Sequence, residues 1–156
     1  MEGGLEVAVM ILIRTFSPTD IPAVTKIVSE SLEETYPPSL YLTVHGLWRE
    51  GFLVLLEDDK MVGFVASVPA GAKVARVLML AISPPHRRRS YGLKLMGELN
   101  ANCVQNGMDT VILEVRKSNQ EALRFYEKQG FSVYGEIKAF YSNGEDAYKM
   151  MKVLQT

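Results

Sequence analysis

Leu78-Met79-Leu80-Ala81-Ile82-Ser83-Pro84-Pro85-His86-Arg87-Arg88-Arg89-Ser90-Tyr91-Gly92-Leu93 passes from an apolar run through a basic loop into an amphipathic run. Leu78 to Ile82 reads as a buried strand, and Leu93, Met96, Leu99 and Cys103 recur at helical spacing. A strand, a Pro-containing bend and a basic loop that opens a helix aim several backbone N–H groups and a positive dipole end at one spot. That arrangement holds a phosphate. The loop carries no Gly-Lys-Ser/Thr of a Walker motif, and it lacks the three glycines and distal acid of a dinucleotide fingerprint. By itself, Arg-x-x-Ser-x-Gly fits a solvated basic loop equally well.

Composition narrows the partners. A chain of 156 residues with 47% hydrophobic and 22% charged residues has an ordinary globular balance and is expected to form one domain over residues 1–156. A net charge of −1 leaves no global basic field for nucleic acid or an anionic membrane. Arg87 to Arg89 form no extended basic track. The lone cysteine, Cys103, falls on an apolar helix face, so a buried core thiol in a reducing cytoplasm is expected. Residues 1–10 lack the basic start and apolar core of a signal peptide, and no apolar run approaches the ~20 residues of a membrane helix. His45 and His86 stand apart from each other and from ligand-spaced Cys, Asp or Glu, so no metal site is expected.

The remaining chain reads as alternating elements. Val7 to Thr15 predicts a strand, and Thr19 or Asp20 an N-cap for a helix to about Leu32, with Val24, Ile27, Val28 and Leu32 facing the core. Pro37-Pro38 breaks that helix before a short one over Ser39–His45. Phe52–Glu57 and Met61–Pro69 predict a hairpin around Asp58-Asp59-Lys60, with Lys73–Ile82 as the next strand. The helix after the basic loop should end at Gly107 as C′, before a strand over Thr110–Val115. Ser118-Asn119-Gln120-Glu121 fits a capping box for a helix to Gln129-Gly130. Phe131–Tyr141 and Ala147–Leu154 predict a last hairpin around residues 142–146. Tyr41 and Trp48 read as core or rim, and Met79, Met96, Met150 and Met151 as core filler. The order predicts a mixed α/β fold on one sheet.

A second constellation carries the chemistry. In Leu113-Glu114-Val115, strand alternation turns Glu114 away from its apolar neighbours. A carboxylate in such a strand is expensive unless paired, hydrated or used. Asn119, at the next helix start, can offer an amide, and Tyr126 lies about two turns on, on the same face.

Arg87-x-x-Ser90-x-Gly92 together with Ser118-Asn119-x-x-Ala122-x-x-x-Tyr126-x-x-x-Gly130-Phe131 resembles the GCN5-related N-acetyltransferase superfamily. Leu113-Glu114-Val115-Arg116-x-Ser118-Asn119 resembles its ribosomal-protein alanine acetyltransferases. Leu32-Glu33-Glu34-Thr35-Tyr36 and the tail from Phe140 to Met150 resemble NatA-type catalytic subunits. The resemblance implies a mostly antiparallel sheet flanked by helices and acetyl-coenzyme A as co-substrate without a metal. It implies protein N-termini or ribosomal proteins as acceptors, with an auxiliary subunit as a further partner.

Residue by residue, the resemblance implies that backbone N–H groups of Arg88, Arg89, Ser90, Tyr91, Gly92 and Leu93 wrap the pyrophosphate, with charge from Arg87 to Arg89. Leu80, Ala81 and Ile82 would pair with the pantetheine amides, and Asn119 would bond the same region. Tyr126 would protonate the leaving thiolate. Glu114 is the first expected base and Glu34 the second, while Tyr36 and Tyr141 would flank the peptide. Ser90 departs from the glycine many members carry there. Acceptors of another kind, a small-molecule amine or a lysine side chain, fit the same fold, as does a coenzyme-A sensor without turnover.

Overall fold

Phe52-Leu53-Val54-Leu55 and Val62-Gly63-Phe64-Val65-Ala66 are apolar at every position, and such strands need cover on both faces. The computed structural model, which describes residues 8–32 and 35–155, covers them with helices on each side of one sheet. The strands are β1 (Ile11–Thr15), β2 (Phe52–Glu57), β3 (Lys60–Gly71), β4 (Val74–Ile82), β5 (Thr110–Arg116), β6 (Ser132–Ile137) and β7 (Ala147–Val153). The helices are α1 (Ile21–Ser31), α2 (Pro38–Leu47), α3 (Tyr91–Gln105) and α4 (Gln120–Lys128). Seven strands lie in the order β1-β2-β3-β4-β5-β7-β6. Among the described pairs only β4 and β5 run parallel, with α3 as their crossover. This is the mixed, mostly antiparallel sheet flanked by helices that the sequence predicts.

Two cores result. Leu95, Met96, Leu99 and Cys103 of α3 and Leu123 and Tyr126 of α4 pack with Leu53, Leu55, Val65 and Leu113 on one face. Val24, Ile27 and Val28 of α1 and Tyr41 and Val44 of α2 pack with Phe52, Val54 and Phe64 on the other, where Phe16 stacks on Phe52 at 4.1 Å. β4 serves both and changes phase midway. Ala66 pairs with Met79 but Ser67 with Val77, which leaves Leu78 as an extra, bulged residue. Strict alternation would put Ala75, Val77, Met79 and Ala81 on one face. Instead, Ala75 and Val77 join the α3/α4 core, and Met79 and Ala81 join the α1/α2 core. Pairing of β4 with β5 runs from Val74–Thr110 to Val77–Leu113 and stops at the bulge, so Leu78 to Ile82 continue beside β3 alone.

Several boundaries move. The first strand starts at Ile11 and does not include residues 8–10, while Val7, where the expected strand began, lies outside the described residues. Asp20 stands at the N-cap of α1 as expected, although its side chain makes no capping bond to that helix. A 3-10 turn over Pro18–Asp20 precedes α1, and the Asp20 carboxylate accepts from Ser17 N–H at 2.8 Å and from both Arg14 terminal nitrogens at 2.8 and 2.9 Å. The cap of α4 lies one residue later than the sequence predicts. Asn119 Oδ1 accepts from Ala122 N–H at 3.0 Å, while Ser118 Oγ donates to Glu145 at 2.7 Å, so the expected box does not form. β6 stops at Ile137 because Ala139 is left-handed at φ +50° and its N–H is taken by Asp146. Gly107, at φ +77°, follows α3 as expected. Tyr41, Trp48, Met79, Met96 and Met150 are buried, whereas Met151 is only half-buried on the other face of β7. Cys103 is fully buried, and burial pushes its thiol up to about 11. Among the described residues, no helix is long and apolar enough to cross a membrane.

The Asp20 carboxyl is held below the usual carboxylate range, first by its bonds to Arg14. A folded-state pKa depressed in this way stabilises the fold fully above the unfolded value, near 3.9, and that contribution is lost as pH falls through the folded value. Asp20→Ala should therefore lower unfolding free energy by about 1–3 kcal/mol at neutral pH. Urea denaturation at a series of pH values should show the gap to wild type narrowing below about pH 4.

Candidate active site

Beyond Val77 the edges of β4 and β5 diverge, and a groove of about 790 Å³ opens. Leu80, Ala81 and Ile82, the loop residues Arg87, Arg88, Ser90, Tyr91, Gly92 and Leu93, and Asn119, Ala122, Phe125 and Tyr126 all line it. Ser83 N–H donates to Val62 C=O at 2.8 Å. Antiparallel alternation then gives the backbone groups of Ala81 and Met79 to β3 and turns those of Leu80 and Ile82 toward the side that β5 has left. The Ile82 carbonyl already accepts from Ser31 Oγ at 3.3 Å and from Arg87 Nε at 3.0 Å. Leu80, through both its groups, and Ile82, through its N–H, therefore face the groove; Ala81 is committed to β3.

At the groove's end, Arg88 and Ser90 are both left-handed, at φ +66° and +63°. Backbone of alternating hand curls its N–H groups into an anion-binding concavity. The first turn of α3 adds the N–H groups of Tyr91, Gly92 and Leu93, which have no carbonyl four residues back, and a positive dipole end. The left-handed conformation costs a non-glycine residue roughly 1–2 kcal/mol, so a glycine would adopt it more readily than Ser90 does. Gly92 is constrained differently: a Cβ there would stand 3.2 Å from Phe125 Cζ, so a bare backbone seats α3 against α4.

The three arginines have separate destinations. Arg87 and Arg88 line the groove. Arg89 turns out of it, its Nη1 3.0 Å from both Glu57 oxygens, and the Tyr91 hydroxyl donates to the same carboxylate at 2.6 Å. These bonds, Tyr91 first and then Arg89, hold the Glu57 carboxyl below its usual range. Sequence reasoning misses Glu57, because no local spacing announces a contact between residues 32 and 34 apart.

A second groove of about 640 Å³ lies on the face covered by α1 and α2. Leu113 and Val115 belong to the α3/α4 core, so Glu114 points the other way, beside Tyr36, Leu40, Arg76, Leu78, Met79 and residues 139–142. Arg76 Nε and Nη2 both donate to Glu114 Oε1, at 3.1 and 2.9 Å. The carboxylate is thus both paired and in a groove. Tyr141 hangs over the same space, its ring centroid 3.9 Å from the Arg116 guanidinium carbon. Arg116 Nη1 donates to Glu145 at 2.7 Å and to Asn143 at 3.2 Å, tying the loop between β6 and β7 to the end of β5.

Burial pushes the Tyr141 phenol up to about 12, opposed by Arg116 and reinforced by Glu114 and Tyr36. Burial also raises Tyr126, with Tyr141 adding to it. Tyr141 is therefore electrostatically coupled to Glu114 in one groove and to Tyr126 in the other. Met79 lines one groove and its neighbour Leu80 the other, so the two grooves lie on opposite faces of β4 along the stretch that β5 has left. Glu34, the second expected base, lies outside the described residues. Among the described residues no group of three or more His, Cys, Asp or Glu is placed to hold a metal ion.

Residues 21–131 match the model of the acetyltransferase (GNAT) family. The N-terminal acetyltransferase B complex catalytic subunit NAA20 of Arabidopsis thaliana is 31% identical over 152 residues, covering 93% of this chain and 86% of that protein. The crystal structure of Ard1 from Thermoplasma volcanium is 36% identical and superposes with a TM-score of 0.91 over 94% of this chain and 99% of its own. The ribosomal-protein-S18-alanine N-acetyltransferase of Escherichia coli is 26% identical, with a TM-score of 0.83 over 94% and 96% of the two chains.

The side chain of Glu114 is 10% exposed against 35% for Arg76, so losing the arginine strands the more buried partner. Arg76→Leu should lower unfolding free energy by about 2–4 kcal/mol. Arg76→Leu combined with Glu114→Leu should recover most of that loss, as a well-packed apolar pair replaces the ion pair. Guanidinium denaturation of the double-mutant cycle checks both.

Proposed function

The chain belongs to the acetyltransferase (GNAT) family, and on that footing we propose that it moves an acetyl group from acetyl-coenzyme A to the α-amino group of a protein N-terminus. The observation that carries this reading is the pair of grooves beside the unpaired end of β4, one ending in an anion cradle and the other holding Glu114. Relatives support the acceptor. The Arabidopsis protein is named an N-terminal acetyltransferase catalytic subunit, a Sulfurisphaera tokodaii protein 29% identical over 150 residues is named N-alpha-acetyltransferase, and Chaetomium thermophilum Naa20, 27% identical, was crystallised with a bisubstrate analogue.

The residues present fit acetyl-coenzyme A. N–H groups from Arg88 to Leu93 would meet the pyrophosphate, and Arg87 and Arg88 add positive charge. The open backbone groups of Leu80 and Ile82 match the amides of an extended pantetheine arm. The Asn119 side chain stands at the same wall with its oxygen already engaged as a helix cap, which leaves its amide for the ligand. When bound, the co-substrate supplies a thioester carbonyl for direct attack by the amine.

Tyr36 and Tyr141 flank the incoming peptide end. Glu114 takes a proton from the ammonium, directly or through water, and returns it to solvent; after attack the nitrogen sheds a second proton by the same route as the C–S bond breaks and the amide forms. An N–H of the open β4 edge polarises the carbonyl as charge develops on its oxygen. Tyr126 stays protonated because burial raises its phenol. A thiol near 8.5 is a stronger acid than that phenol, so Tyr126 stabilises the departing sulfur by donating a hydrogen bond, and the proton that completes the free thiol is drawn through it from solvent. Positioning supplies the rest of the acceleration.

Incubation with acetyl-coenzyme A and a panel of N-terminal peptides, an internal-lysine peptide, polyamines and aminoglycosides, read by product mass, tests the acceptor. Peptide α-amines should be acetylated; transfer confined to the other amines would replace this reading with a small-molecule or lysine acetyltransferase, and binding without product would make the protein a sensor. Glu114→Gln should lower kcat/KM by about a hundredfold near neutral pH. That deficit should shrink above about pH 8, where the α-amine deprotonates unaided. Tyr126→Phe should lower kcat while sparing the dissociation constant for coenzyme A, as isothermal titration can measure.

A further inference from the structure

Ser90 holds a conformation its Cβ opposes, and a strained backbone of this kind persists only where its surroundings over-determine it. The residues on either side of it are tied to one point. Arg89 Nη1 lies 3.0 Å from each oxygen of Glu57, and the Tyr91 hydroxyl lies 2.6 Å from Oε2. Glu57 is the last residue of β2, a rigid place in the sheet, and its side chain is only 14% exposed. Neither Glu57 nor Arg89 lines the groove.

We propose that Glu57 is a positioning residue for the pyrophosphate loop: by holding Arg89 and Tyr91 on one carboxylate it fixes Ser90 left-handed between them and so aims the N–H groups from Ser90 to Leu93 at the ligand. The proposal rests on the reading of the loop as a coenzyme A site. Glu57 makes no contact with the co-substrate or the reacting atoms. Its effect is to prepay, in the free protein, the ordering that a glycine at position 90 would leave to the moment of binding. A serine is tolerated at this position because the carboxylate of a distant strand restrains its neighbours.

Isothermal titration with coenzyme A, alongside steady-state kinetics at saturating peptide, tests this. Glu57→Gln should weaken coenzyme A binding and raise KM for acetyl-coenzyme A by about tenfold, with kcat at saturation preserved. Tyr91→Phe, which deletes one tether and no packing, should move the same two constants in the same direction by less. In the Glu57→Gln background, Ser90→Gly should recover part of the lost affinity by removing the strain the clamp holds. Equal binding by wild type, Glu57→Gln and Tyr91→Phe would overturn the proposal, as would a fall in kcat and thermal stability without a change in KM. If Glu57→Gln fails to fold, Tyr91→Phe decides alone. Failure of the wild type to bind coenzyme A would instead remove the functional reading, and this inference with it.

Discussion

The parallel ladder between β4 and β5 is four residue pairs long, and its early end is the constraint on which the site depends. A parallel sheet buried between helices ordinarily keeps its backbone groups paired along the full strand. Here the bulge at Leu78 bends β4 away while β3 still supports its other edge. Polar backbone is therefore exposed in the middle of a sheet, where an extended ligand can replace the missing strand. α3 is the next α-helix, reached through residues 83–90, and the anion cradle at its N-terminus closes the groove that the open edge lines. The crossover that makes the ladder parallel thus also delivers the cradle.

Three arginine–carboxylate pairs fix the walls around this gap. Arg89 meets Glu57 behind the cradle, Arg76 meets Glu114 in the second groove, and Arg116 meets Glu145 beneath Tyr141. The pairs tie a loop to a strand end, β4 to β5 where their ladder ends, and a hairpin loop to β5. Breaking one partner of such a pair is costly, but whole pairs add little over well-packed apolar ones, and their value lies in geometry. They set where a tyrosine ring, a carboxylate or a row of N–H groups stands.

Much of this was legible in the chain itself. Sheet strands and helices were readable from periodicity, and the apolar neighbours of Glu114 were enough to turn it toward a face of its own. The bulge was not readable, because odd-numbered residues of β4 stay buried on both sides of Leu78 and only the core they join changes. Ser118 and Asn119 are equally good cap residues by composition. The choice between them is made by Glu145, which takes the serine hydroxyl from a loop far along the chain. Arg89 reads as part of a basic triplet until Glu57 is seen opposite it. Where sequence reasoning falls short, the deciding partner is distant in the chain.

The phase change in β4 has a further consequence for how such a protein can vary. Because Met79 and Ala81 belong to a different core from Ala75 and Val77, the two ends of one strand answer to different packing environments. Leu40, Leu78 and Met79 of the second groove pack with the α1/α2 core, whose members are not those of the α3/α4 core that seats the cradle. Each environment lies on its own face of the sheet, and a substitution on one face leaves the other face's packing partners in place.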